Sequence, residues 1–259
     1  MTSFYSVLAY WGPRRESPEV CARKLLEMFE TLANIDPALG QWFWRDRTSG
    51  KPLPVAALDT QNAARLLKQR QNLGEVTRKP IPEFGYRFVV TNELPWGPRC
   101  LTLDGQLAGY TRAGMLANYV SLSTQPLHPD NQAIINFRVF RQVLLELARI
   151  WDATWCRAAS SDLFELLPTV DTRRRTPRIS GGWMTYLAAP FAAKIAPPHS
   201  GICEQVDGGL LMSATQETFS VDNPAHVAVA RDIDAALAPI NALPWPPDRT
   251  SESISAKKG

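Results

Sequence analysis

Between Ile135 and Ile150 seven apolar residues, Ile135, Val139, Phe140, Val143, Leu144, Leu147 and Ile150, recur at intervals of three and four. That spacing gathers them into one wide stripe along a helix, while Arg138, Arg141, Glu146 and Arg149 occupy the opposite side. The pattern predicts a helix from near Pro129-Asp130 to near Trp151. A helix this one-sided persists only when its stripe is covered by other apolar surface. The remainder of the chain must provide that surface.

Short runs rich in aromatic and β-branched residues are suited to it. Phe4 to Tyr10 reads as a core strand that ends at Gly12-Pro13. Trp42-Phe43-Trp44 suits a short strand leading into an irregular loop. In Phe84 to Thr91, the residues Phe84, Tyr86, Phe88 and Val90 share one face at period two. Leu101-Thr102-Leu103 and Asn118 to Leu122 follow, with Asp104-Gly105 as a tight-turn signal between them, so this stretch is expected to form an antiparallel meander. Trp155 to Ala158, Trp183 to Leu187 and Gly208 to Ser213 are later strand candidates.

Further helices are marked by their starts. Ser17 is placed to cap a helix with Pro18 at its first position, after which Cys21, Leu25, Met28, Phe29 and Leu32 recur at helical spacing up to Pro37. A weaker helix is expected from about Asp59 to Arg70. A last one starts at Asn223-Pro224 and sets Val229, Ile233, Ala236 and Leu237 on one side before Pro239. Strands cluster without strict alternation with helices, which predicts an α+β fold: an antiparallel or mixed sheet packed against several helices. One domain is expected over residues 3–245, followed by a Pro-, Ser- and Lys-rich tail over 246–259 with too little apolar surface to order itself.

The composition is that of a globular protein: 259 residues, 45% hydrophobic, with 28 Lys and Arg against 25 Asp and Glu. No run approaches the eighteen or so apolar residues that a membrane helix needs, and the first residues lack a basic, cleavable leader, so the protein is expected in the cytoplasm. Cys21, Cys100, Cys156 and Cys203 lie dozens of residues apart, a spacing of neither zinc sites nor disulfide frameworks, and read as reduced, mostly buried small hydrophobes.

Catalytic signals are sparse. His128, His199 and His226 form no paired metal motif, and no Gly-x-Ser-x-Gly elbow is present. Gly181-Gly182 and Gly208-Gly209 belong to no phosphate-binding loop and read as turns. No cofactor or metal is therefore implied. Two alternatives stay open: a metal-dependent hydrolase built from dispersed carboxylates such as Asp104, Asp152 and Asp162 with a histidine, and an adaptor that loads an effector for secretion.

Charge distribution is more telling. Arg173-Arg174-Arg175 with Arg178 forms a basic cluster in a Thr- and Pro-containing connection, which suits a solvated loop better than a nucleic-acid groove. From Gly201 to Trp245 six acids (Glu204, Asp207, Glu217, Asp222, Asp232 and Asp234) face only Arg231, a local charge of −5 in a chain of net +3. Such a segment attracts a basic protein and repels free nucleic acid. Glu204, Asp207, Glu217 and Asp222 are the candidate partner contacts. Most of the eight tryptophans are expected to pack in the core; if exposed, Trp42 on its short strand and Trp96 in Pro95-Trp96-Gly97-Pro98 are the candidate aromatic anchors.

Tyr5-Ser6-Val7-Leu8-Ala9-Tyr10-Trp11-Gly12-Pro13-Arg14, the helix after it, and Gly181-Gly182-Trp183-Met184-Thr185-Tyr186-Leu187 together resemble the immunity protein 52 family. The resemblance extends from about Phe4 to Trp245. It implies a bacterial polymorphic-toxin immunity protein, encoded beside a toxin that it binds and neutralises without turnover. It further implies that the toxin is a restriction-endonuclease-like nuclease, often delivered by type VI secretion. The motif residues themselves are of the kind that closes a core, so they are not carried over as toxin contacts.

Overall fold

The computed structural model describes residues 4–74, 79–94, 100–111, 118–124, 133–171 and 176–241. Its strands are β1 (Tyr5–Trp11), β2 (Phe43–Arg45), β3 (Pro52–Pro54), β4 (Tyr86–Thr91), β5 (Leu101–Leu107), β6 (Asn118–Thr124), β7 (Trp155–Ser160), β8 (Val170–Asp171), β9 (Thr176–Pro177), β10 (Met184–Leu187), β11 (Ile202–Val206) and β12 (Gly209–Ser213). The described helices are α1 (Pro18–Ile35), α2 (Thr60–Gln69), α3 (Phe137–Trp151), α4 (Ser161–Leu166), α5 (Ala189–Ala192), α6 (Pro224–Ala236) and α7 (Ala238–Asn241). Ten strands make one open sheet in the order β11-β12-β10-β7-β1-β6-β5-β4-β2-β3, and β8 and β9 pair separately. Every pairing is antiparallel, so the mixed alternative falls away and the α+β class stands.

The stripe of α3 packs on β1, β7 and β10. Phe140, Val143, Leu144 and Leu147 are almost wholly buried. Trp151, the last residue of α3, stacks on Trp11 of β1 with centroids 5.1 Å apart, and its indole N–H points at the Met28 sulfur of α1, 3.5 Å away. Tyr5 meets Phe140 and Trp183 edge to face. α1 and α3 thereby cover β1, whose Val7 and Ala9 are fully buried.

The caps follow the sequence. Ser17, Asp59 and Asn223 each accept from a backbone N–H in the first turn of α1, α2 and α6. α3 starts later than its stripe suggests: Asn136 is its cap, accepting from the Val139 amide at 3.0 Å, and Ile135 is buried just ahead of the helix. The expected start at Pro129-Asp130 lies outside the described residues, as does the tail over 246–259.

Two strand expectations need correction. Asp104-Gly105 is no turn but the middle of β5, opposite Val89-Phe88 on one side and Ser121-Val120 on the other. Gly105 is there because a Cβ would sit 2.5 Å from the Phe88 ring and 2.6 Å from the Tyr119 carbonyl oxygen. Asp104 accepts from the Tyr119 hydroxyl at 3.0 Å, and its burial raises the carboxyl above its ordinary range. Phe84 does not join the face of Phe88 and Val90, since it closes a single 3-10 turn and Gly85, at φ +61°, redirects the chain.

The face of the sheet away from α1 and α3 carries a buried cation. Arg157, opposite Leu8 and Thr185, is wholly buried, with its guanidinium 4.2 Å over the Phe164 ring and one N–H directed to the Leu163 carbonyl. Burial pushes it down to about 10. Beside it Gly181-Gly182 forms not a turn but an irregular passage toward β10, pressed against backbone: a Cβ on Gly182 would lie 2.5 Å from the Ala158 carbonyl oxygen and 2.9 Å from that of Met184. Neither atom belongs to a side chain that can swing away. Gly182→Ala should therefore lower stability by about 1–3 kcal/mol through overpacking, measured as a lower urea midpoint; an unchanged midpoint would refute the close approach.

Candidate interaction surface

One end of the sheet is built by a hairpin with a two-residue turn. Asp207 and Gly208 both have positive φ, +47° and +76°, the conformation whose twist matches that of the flanking strands. It sets the register Val206↔Gly209, Gln205↔Leu210, Glu204↔Leu211, Cys203↔Met212 and Ile202↔Ser213. β12 is buried between β10 and β11, whereas β11 is the edge, with Cys203 and Gln205 exposed and Ile202, Glu204 and Val206 half-buried. Here Gly208-Gly209 divides its roles: Gly208 makes the turn, and Gly209 admits the Tyr186 ring, which would lie 2.6 Å from a Cβ.

The acids of the C-terminal segment separate into two groups. Glu204 Oε2 accepts from Arg141 of α3 at 2.6 Å, which ties the edge strand to the helix layer. Asp232 accepts from the Ser200 amide and hydroxyl, and these bonds hold its carboxyl below the usual range. Asp234 accepts from Arg178 and from the Gly181 amide. The carboxylates left facing solvent are Asp207 at the hairpin tip, Glu217 and Asp222. Glu217 is 79% exposed and 3.4 Å from His226 Nε2. The local charge of −5 is therefore partly compensated within the fold, by Arg141 and Arg178 from outside the segment.

The aromatic anchors fare differently. Trp42 is only 3% exposed, so its expected role as an exposed anchor is corrected: its indole N–H donates to the Leu39 carbonyl at 2.7 Å and its ring packs near Phe29. One side of the ring does line an apolar pocket of about 320 Å³ between α1 and the β2–β3 region, with Leu26, Phe29, Val55 and Leu58. Trp11, Trp44, Trp151, Trp155 and Trp183 are buried as well. Trp96, Trp245, His128 and Arg173-Arg174-Arg175 lie outside the described residues.

The carboxylates considered for a hydrolase sit on separate elements: Asp104 within β5, Asp152 as the left-handed cap of α3 and Asp162 on α4. Among the described residues no three His, Cys, Asp or Glu side chains gather as a metal group. His226 is buried against Phe219 and accepts from the Ser220 amide, while His199 is exposed in a loop. β11 was not anticipated from sequence, although Asp207-Gly208 between Ile202-x-Glu204-x-Val206 and Gly209 to Ser213 is a hairpin signal.

The family model described as Immunity protein 52 matches residues 3–243. A solved structure of the Pseudomonas aeruginosa T6SS protein PA0821 is similar in fold, with a TM-score of 0.52 at 17% sequence identity, covering 92% of this chain and 76% of that one. No curated protein matches the chain significantly. None of the described helices is long and apolar enough to cross a membrane.

The edge strand also carries the accessible thiol. Cys21, Cys100 and Cys156 are buried, with burial pushing Cys21 up to about 12, whereas Cys203 is exposed on β11. N-ethylmaleimide at neutral pH should modify Cys203 at least about tenfold faster than the other three, read by peptide mass spectrometry. Comparable rates at all four would contradict the placement of β11 at the edge.

Proposed function

Because the chain belongs to the immunity protein 52 family, we propose that it binds and neutralises a cognate antibacterial toxin, a restriction-endonuclease-like nuclease delivered by type VI secretion. It works in the cytoplasm, where such a nuclease meets its DNA, and it works by binding and not by turnover. The observation that carries this reading is the family match over residues 3–243. That a protein of similar fold is a Pseudomonas aeruginosa T6SS protein supports the secretion route.

The physical basis is charge complementarity. A nuclease groove is lined with Lys and Arg because it holds phosphates, and a carboxylate surface competes for the same cations. Asp207 at the hairpin tip, and Glu217 and Asp222 beyond the opposite end of β12, present exposed carboxylates of this kind on a protein whose net charge is +3. The inhibitor is thus locally acidic and not a wholesale mimic of DNA. A stable complex of this kind buries roughly 1,200–2,000 Å² in total.

Co-expression with the product of the adjacent reading frame tests the function. Host survival and a one-to-one complex on size-exclusion chromatography are expected, and toxicity without rescue or binding would refute the pairing. The charge argument has its own test. Glu217→Lys with Asp222→Lys should slow association about tenfold at low ionic strength and far less near 0.5 M salt, followed by stopped flow. Equal association rates for variant and parent would eliminate steering by this surface.

A further inference from the structure

We propose that β11 accepts a β-strand of the toxin, so that the ten-stranded sheet continues into the partner. This rests on the immunity reading above and specifies its interface. The two ends of the sheet are chemically unlike. At the β3 end, Pro52 and Pro54 flank Leu53, and the Val55 amide donates inward to the Trp42 carbonyl. The inward positions are thus Leu53 and Val55, and the outward ones are prolines, which have no N–H to offer. That edge cannot hold a full ladder.

The β11 end is open. Its two-residue turn makes Val206–Gly209 the closing hydrogen-bonded pair, and alternation places Glu204 and Ile202 in the same inward set. The N–H and C=O groups of Cys203 and Gln205 therefore point away from β12. Among the described residues no backbone group bonds to them. β11 contains none of the Lys, Pro or bulge devices that blunt natural edges. Main-chain pairing there supplies affinity, and side chains across the new pair supply choice of partner.

Charge selects the occupant. Glu204 is the one charged residue on β11 and Asp207 follows it in the turn, so a second copy paired antiparallel about Glu204 would set carboxylate against carboxylate. A basic strand is favoured instead. Arg141 takes Glu204 Oε2, which leaves Oε1 for a donor on the incoming strand. Ile202 and Val206 lie on the same side of β11 as Glu204, half-buried. The matching strand thus carries a Lys or Arg opposite Glu204 with an apolar residue two positions to either side.

The test is hydrogen–deuterium exchange of the full chain, alone and in complex with the adjacent reading frame's product, together with binding by two variants. Gln205→Pro removes an outward N–H and no bond to β12, whereas Gln205→Ala keeps that N–H. We expect the Cys203 and Gln205 amides to slow at least about tenfold in the complex. Gln205→Pro should weaken binding at least about tenfold, and Gln205→Ala should stay within about threefold. A stable complex in which both amides still exchange freely would overturn strand pairing while leaving the immunity reading intact. So would a folded Gln205→Pro chain that binds like the parent; if that variant does not fold, exchange in the unmodified chain decides. Protection of these amides in the chain alone at high concentration would assign the edge to a second copy. Failure to form any complex would overturn the immunity pairing and the strand pairing with it.

Discussion

The insertion of β1 between β6 and β7 holds the molecule together. Ser6 faces Ser123 on one side and Ala159 on the other, so the strand joins partners more than a hundred residues further along the chain. Without it the sheet would divide into β11-β12-β10-β7 and β6-β5-β4-β2-β3. Closing loops of that length is costly in chain entropy, and the return comes from dense aromatic packing on both faces of one strand. Trp11 and Tyr5 face α3, while Tyr10 stacks on Trp155 on the opposite face, 4.7 Å between centroids. The Tyr5 hydroxyl also donates to the Phe219 carbonyl, which fastens the chain beyond β12 to this same strand.

Features written in local chemistry could be read from the sequence. α1, α2 and α6 begin at their caps because a Ser, Asp or Asn side chain reaches only as far as the next turn, and the α3 stripe reports burial through spacing alone. Features that depend on a distant neighbour could not. Asp104-Gly105 has the composition of a turn, yet Phe88 and Tyr119, brought alongside by strand pairing, require a glycine and satisfy the aspartate. Arg157 is a polar residue on a strand of small and apolar ones, and its burial depends on α4 and Gly182, both outside its strand, closing over it.

The interaction surface shows the same division. The acidic segment is legible as a run of charges, but Arg141 and Arg178 arrive from elsewhere in the chain, and Trp42 has its indole N–H satisfied inside the core. The described tryptophans serve the core, and the exposed large apolar residues (Phe4, Leu73, Val89, Leu94 and Leu166) are scattered singly. Such a surface has little hydrophobic driving force of its own. Specific recognition on such a surface has to come from electrostatics and directional hydrogen bonds.

The prolines of β3 carry a consequence for stoichiometry. In the language of polymer chemistry, a sheet with two reactive edges is a bifunctional monomer and can propagate into filaments, whereas one capped edge makes it monofunctional. Addition at the other edge then terminates after a single event. A strand paired at β11 as proposed would therefore make a closed pair, one partner to each molecule.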